Sequence, residues 1–428
     1  MTLLSDAAAV IEAGPVCAPC LGRCFADRSF GLSNRERGKA LRVAVAMAED
    51  EPYDPPSTCW VCEGKAERFE EWAERAVEQL EGITFESYQV GTRTPPLIEE
   101  NERLLREDAG LEPDAGEAFK SECNREVGKA IGRATGTEVD FDRPDVQLLV
   151  DIGADEVTTQ INSAFVYGRY RKLERGIPQT KWPCQECNGT GEQAGEPCIH
   201  CDGTGFRYPE SVEQLTVPPV VEAMDGSEGT FHGAGREDID ARMLGTGRPF
   251  VIEVEEPRDR FPDQGALQAD INAFANGAVE VEGIRLATYE MVERVKELAA
   301  SKTYRTTVEF ADPIEADELQ GALSRIDGAT VEQETPQRVS HRRAAKVRER
   351  TVYDIDGELV DETHAEIEIH GEGGLYVKEL VDGDAGRTEP SLAGLLETDA
   401  HVTALDVIAV EGEDEPFEDE AFFRSPPD

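Results

Sequence analysis

Apolar residues along this chain change their spacing from region to region. Between Asn34 and Glu49 the string NRERGKALRVAVAMAE carries apolar positions three and four apart, which predicts a helix. From Arg68 to Val150 helical and extended patterns alternate: AERAVEQL, ITFESYQV, EAFKSECNREVGKAIGRAT and DVQLLVDI. That alternation predicts an α/β domain. The stretch FVYGRYRKLERG then reads as a basic hairpin, and the acidic, glycine-bearing segment from Ser211 to His232 as the boundary before the last and largest domain. Beyond it PFVIEV, RTTVEF, TVYDI, ELV, AEIEI, LYVKEL and HVTALDVIAV read as strands, with a turn at Asp356-Gly357, while TYEMVERVKELAA reads as an amphipathic helix. The expected fold class is α+β and multidomain, ending in a mixed, mainly antiparallel sheet flanked by helices. The tail EGEDEPFEDEAFFRSPPD, acidic and proline-ended, is expected to fray.

Length and charge narrow this picture. A chain of 428 residues holds two or three domains with cores of their own. Its 43 basic residues face 89 acidic ones, a net charge of −46. Self-repulsion on that scale destabilises a fold in dilute buffer and is tolerable in concentrated salt, so the acidity reads as halophilic adaptation and says little about partners. Disorder is excluded because 39% of residues are hydrophobic and fall into periodic segments. No run approaches the roughly 18 apolar residues of a membrane span, and no signal peptide pattern opens the chain, so a cytoplasmic, membrane-free protein is expected.

Nine of the ten cysteines lie in or beside pairs. Cys17 and Cys20 are separated from Cys59 and Cys62 by a helix-sized insert, the arrangement of a tetrahedral thiolate zinc site in a reducing compartment. Cys24 is not needed for that set, and Cys123 stands alone. Cys184, Cys187, Cys198 and Cys201 form two copies of C-x-x-C-x-G-x-G, in which glycines permit the tight turns that bring sulfurs to one metal. The repeat resembles the cysteine-rich region of DnaJ-type chaperones, but two copies without a J domain do not make one. Structural zinc is expected at both sets, and thiol redox chemistry is the weaker alternative.

The densest remaining polar cluster is GAGREDIDARMLGTGRPFVIEVEEPRDR. Alone, Gly235-Arg236-Glu237-Asp238 in so acidic a chain is more simply a solvated turn. Its surroundings change that: the G-R-x-D resembles the catalytic motif of pseudouridine synthases. CAPCLGRCF, CWVCEG, NREVGKAIG with FDRPDV, YGRYRKLERGIPQTKWPC, TPQRVSHRRAAKVRER and GLYVKELVDGDAGRTEPSL together resemble the archaeal tRNA pseudouridine(54/55) synthase family. The resemblance implies an isomerase acting on uridines 54 and 55 in the TΨC arm of tRNA, with Asp238 catalytic and no organic cofactor. It also implies that Tyr304, Tyr376, Arg236 and Lys378 contact substrate. A dry carboxylate needs a cation beside it to stay ionised, and Arg236 and Lys378 are the candidates. Asp240 and Glu237 are the competing carboxylates; Asp240 shares a face with Asp238 if the segment is extended and ranks second to it.

The implied organisation is a zinc module over residues 1–66, a THUMP-like RNA-binding domain over 67–182, a second knuckle over 183–207, the catalytic domain over 208–412 and an acidic tail over 413–428. Two basic runs suit RNA phosphates: Arg338, His341, Arg342, Arg343, Lys346, Arg348 and Arg350; and Arg169, Arg171, Lys172 and Arg175 interleaved with Tyr167 and Tyr170. No obligate protein partner is evident. The rival class is a non-catalytic zinc-containing tRNA-binding or RNA-chaperone protein, which would bind without isomerising.

Overall fold

Two units, Met1–Ser163 and Ala164–Asp428, organise the computed structural model, which describes residues 2–339, 344–412 and 417–425. The first begins with α1 (Leu3–Glu12), α2 (Ala18–Arg23), α3 (Asn34–Glu49) and α4 (Phe69–Gln79). It continues through β1 (Ser87–Arg93), α5 (Pro96–Asp108), α6 (Phe119–Thr135), β2 (Glu138–Val139), β3 (Val146–Asp151) and β4 (Glu156–Ile161). Helix α3 has the predicted bounds. Ser33 and Glu36 cap it reciprocally, and Asp50 ends it in the left-handed region at φ 57°. Helices α2 and α3 pack backbone to backbone, since a Cβ on Gly38 would lie 1.9 Å from the Ala18 carbonyl oxygen. The sheet order is β2-β1-β3-β4, with β1 parallel to both neighbours and β4 antiparallel. Sequence periodicity placed the first strand too early, because ITFE lies before β1, and it did not resolve α5.

The second unit is built on a ten-stranded sheet of order β10-β5-β9-β16-β11-β14-β13-β12-β15, with β8 on β9. Its elements are β5 (Ala164–Lys172), β6 (Glu192–Gln193), β7 (Glu196–Pro197), α7 (Val212–Ala223), β8 (Glu228–Gly233), β9 (Arg242–Glu255), α8 (Gln264–Phe274) and β10 (Val279–Ala287). There follow α9 (Tyr289–Glu297), β11 (Ala300–Phe310), α10 (Ala316–Ile326), β12 (Thr330–Glu334), β13 (Val347–Asp361) and β14 (His364–Gly371). The unit ends with α11 (Val377–Asp382), β15 (Thr388–Glu389), α12 (Leu392–Leu396) and β16 (Ala400–Gly412). Strands β9 and β16 pair in parallel and the other neighbours antiparallel, so the sheet is mixed and mainly antiparallel as expected.

Several boundaries differ from the sequence expectation. The division falls after Ser163, not 182, because FVYGRYRK is the single strand β5, hydrogen-bonded to β9 and β10 inside the large sheet. The supposed boundary segment 211–232 forms α7 and β8, whose Val212, Val220 and Phe231 are core residues. Asp356-Gly357 is not a turn: β13 runs through it, and Gly357 lets the strand approach β14, where a Cβ would lie 2.7 Å from the Glu366 carbonyl oxygen. LYVKEL holds the helix α11, begun at Tyr376 and closed by the left-handed Gly383, because the short apolar run fits either period.

The expectation that the tail frays also fails for its described residues. Phe417, Phe422 and Phe423 pack beside Tyr167, Met291 and Val295, and the Arg285 guanidinium lies 3.5 Å from the Phe423 ring centroid. Backbone bonds from Thr288 to Phe422 and from Arg424 to Leu286 fix the segment.

Candidate active site and cysteine centres

The G-R-E-D tetrapeptide occupies the loop between β8 and β9, and its shape is set by Glu237. The Glu237 carboxylate is buried 2.9 Å from the Arg248 guanidinium and 3.6 Å from the Lys172 ammonium, and it accepts a 2.8 Å hydrogen bond from the Tyr170 hydroxyl. Buried ions persist when they are paired and hydrogen-bonded in this way. Burial pulls the Lys172 ammonium below its usual pKa while Glu237 acts against that. Lys172 donates to the carbonyls of Ile177, Asp238 and Ile239, and Gln179 bridges the Tyr170 hydroxyl and the Gly235 carbonyl. Side chains from β5 and β9 thus hold the loop from beneath, with Asp238 half-buried at its rim.

Asp238 receives two cations. Arg338 Nη1 donates to its carboxylate oxygens at 3.1 and 3.0 Å, and Lys378 Nζ lies 3.4 Å from Oδ2. Lys378 also donates to Asp240 at 2.7 Å; burial pushes the Asp240 carboxyl up, but the Lys378 contact outweighs it and the net shift is downward. Glu379, beside Lys378 on α11, accepts a 2.6 Å hydrogen bond from Arg338. Tyr304 on β11 is buried, and its hydroxyl pKa is pushed up to about 12, by burial first and with the Asp238 charge adding to it against Arg248. Tyr376 is half-buried, its backbone exchanging two 2.9 Å hydrogen bonds with the Gln333 amide.

Arg236 departs from expectation. Its guanidinium lies over the Trp182 ring, 5.6 Å from the centroid, and is not the cation on Asp238. Arg338 takes that place, brought from a segment 100 residues away that sequence reading assigned to phosphate contact. Glu237, the other competing carboxylate, is instead buried against Arg248, a partner that sequence reading missed; an arginine entering the apolar run PFVIEV was the available signal.

The basic stretch of β5 is not an open phosphate surface. Tyr167, Tyr170 and Lys172 are buried; Arg169 donates to the carbonyls of Thr246, Gly247 and Val410; Arg171 pairs with Glu280 and Glu282; and Arg175 pairs with Asp406. In the other run, Arg348 donates to Thr335 and Arg350 pairs with Glu372, while His341, Arg342 and Arg343 lie outside the described residues.

Both cysteine sets assemble. The sulfurs of Cys17, Cys20, Cys59 and Cys62 lie within 4.8 Å of one another, as do those of Cys184, Cys187, Cys198 and Cys201. The separations of 3.7 Å between Cys17 and Cys62, 3.5 Å between Cys20 and Cys59 and 3.8 Å between Cys187 and Cys201 are far too long for disulfides. They match the edge of about 3.8 Å in a tetrahedron with metal–sulfur bonds of about 2.3 Å. In the second set the two halves mirror each other: Cys184 N–H donates to Gly205 and Cys198 N–H to Gly191, while Gly191 and Gly205 donate to Cys187 and Cys201 Sγ at 3.3 Å. Gly191 and Gly205 sit at φ 75° and 78°, and a Cβ on either would come within 2.5 Å of the opposite half's backbone. Both sets can hold zinc. Beside the first, Arg23 donates to Cys20 Sγ at 3.0 Å and pairs with buried Glu102 and Glu122.

Comparison with known proteins now bears on this arrangement. Residues 165–411 match the family model described as Pus10, C-terminal, and residues 72–151 the one described as Pus10 THUMP domain, archaeal. The chain belongs to the Pus10 family of tRNA pseudouridine synthases. The tRNA pseudouridine synthase Pus10 of Halorubrum lacusprofundi, a halophilic archaeon, is 65% identical, with 99% of this chain and 100% of that one aligned. The counterpart from Methanothrix thermoacetophila is 46% identical over 96% and 95%, and that from Pyrococcus furiosus 37% over 95% and 98%. Membership supports isomerase activity and gives the first unit a THUMP domain. No helix among the described residues is long and apolar enough to cross a membrane.

Proposed function

We propose that this protein isomerises uridine to pseudouridine in the TΨC arm of tRNA, at positions 54 and 55, with Asp238 as the carboxylate that acts on an everted uridine. The observation that carries the reading is a carboxylate with Arg338 and Lys378 on it, on a loop braced by buried ions, beside the buried phenol of Tyr304. In the isomerisation the N1–C1′ bond breaks, the uracil turns, C5 bonds to C1′, C5 gives up its proton and N1 gains one. Nothing is oxidised or reduced, so the reaction calls for no organic cofactor. Held dry against the nucleoside, Asp238 attacks C1′ or takes the C2′ proton, and its fixed position supplies much of the rate.

Tyr304 and Tyr376 hold the base in this reading, Lys378 orients the carboxylate, and Arg236 contacts substrate from the Trp182 side. The zinc module over residues 1–66 and the THUMP domain bring the tRNA, and the knuckle over 183–207 carries the second zinc; both metals are structural. The setting is the cytoplasm.

Asp238→Asn tests the core of the proposal. It is expected to bind tRNA as the wild type does while losing about 10²- to 10⁴-fold in pseudouridine formation on an unmodified transcript. Unchanged activity in that variant removes the assignment.

A further inference from the structure

Two arginines of the second unit have aromatic rings as their neighbours in place of carboxylates. Arg169, Arg171, Arg175, Arg242, Arg285 and Arg338 all pair with carboxylates, whereas Arg207 and Arg236, both exposed, have no carboxylate within 4.0 Å among the described residues. Their neighbours are aromatic instead. Arg207 lies 5.8 Å from the Trp182 centroid and 5.7 Å from that of Tyr208, Arg236 lies 5.6 Å from the Trp182 centroid, and the two rings meet edge to face at 5.6 Å. Arg325 and Arg348 also lack a carboxylate partner among the described residues, so it is the shared Trp182 ring that sets Arg207 and Arg236 apart.

The cysteine knuckle builds this platform. Trp182 and Arg207 are the residues at its neck, joined by the Arg207 N–H to Trp182 carbonyl bond of 2.8 Å and followed inward by the Pro183–Phe206 bridge. The four cysteines between them fix the separation of the two neck strands, so their closure sets where Trp182, Arg207 and Tyr208 stand. Arg236 belongs to the same loop as Asp238, two residues away, so the platform reaches the candidate active site by continuous chain.

We propose that the neck of the second cysteine knuckle, Trp182, Arg207 and Tyr208 with Arg236, is a stacking platform for an unpaired nucleotide of the RNA substrate next to the target uridine. Half-buried rings take the face of a base regardless of its identity, and the guanidiniums take the adjoining phosphate or stack on the base in turn. The knuckle is then a positioning device for substrate as well as a structural one. This inference rests on the reading of the protein as a tRNA-modifying enzyme.

Trp182→Leu and Arg207→Gln, made separately in the full chain and checked for wild-type zinc content, test it against an unmodified tRNA transcript. Each is expected to raise Kd and KM by about tenfold, the scale of one lost base stack, with kcat at saturating tRNA changed by less than about threefold. For Arg207→Gln the salt dependence of binding is also expected to become shallower. If Trp182→Leu loses zinc, the exposed Arg207→Gln decides alone. Wild-type Kd and KM in a zinc-replete Arg207→Gln protein overturn the proposal and leave the platform to a protein partner or to solvent. Failure of the enzymatic reading looks different: Asp238→Asn stays fully active, whatever the knuckle variants do to RNA affinity.

Discussion

The Asp238 charge acts on the Tyr304 phenol, which makes the site measurable without substrate. Burial first, with a smaller contribution from the Asp238 carboxylate and against Arg248, pushes the Tyr304 phenol up to about 12. The phenol should therefore stay protonated throughout the physiological range. Removing the Asp238 charge takes away a raising contribution, so in Asp238→Asn the phenol should ionise at lower pH than in the wild type. Ultraviolet absorbance titration, with Tyr304→Phe as the blank, reads this directly; a tyrosine that titrates near 10 in the wild type places residue 304 in water and dissolves the site as described. The same neighbourhood shows what a sequence carries at this scale. Asp238 and Lys378 could be singled out because motifs name them, and the fold brings the two within 3.4 Å. Arg338 could not be, because its role depends on a β12–β13 connection folding back onto a loop 100 residues earlier, and Arg236 was misassigned because neighbours in sequence need not point the same way.

Elements with a single strong period were read correctly, and ambiguous ones went to the tertiary context. Helix α3 has sixteen residues, a capping box and an amphipathic face, so local signals agree and its bounds follow. LYVKEL has too few residues to separate a period of 2 from 3.6 and was read as a strand where α11 forms. The C-terminal segment was misread for another reason: its acids suggested solvation, yet its three phenylalanines decide its place. Phe423 sits under Arg285, Glu420 pairs with the same arginine at 2.5 Å, and the Tyr167 hydroxyl donates to Glu418 at 2.6 Å. Phe423→Ala gives up a half-buried ring and one cation–π contact, an expected loss of about 2 kcal/mol from the second unit. Urea unfolding of the full chain followed by β-sheet circular dichroism measures it; an unchanged midpoint would mean the segment is adventitiously placed.

Charge acts on the whole chain at once, and it opposes the two things this protein does. A net charge of −46 repels itself and repels RNA, while the cations that hold the fold and those that meet substrate are few. The structure reconciles these demands by pairing: Arg248 and Lys172 lie inside with Glu237, where salt does not reach, while the exposed acids depend on screening. The screening length falls from about 10 Å at 0.1 M salt to about 3 Å at 1 M. Thermal stability should therefore rise with KCl, and most of the rise should come below about 0.5 M, where the screening length changes fastest. Binding of tRNA should move the opposite way over the same range, because phosphate contacts release counterions. Melting temperatures and tRNA affinities measured across one KCl series test both halves. A melting temperature that is flat to 0.5 M and climbs only at molar salt would assign the stabilisation to solute exclusion from the protein surface, and the acidic coat would then need another explanation.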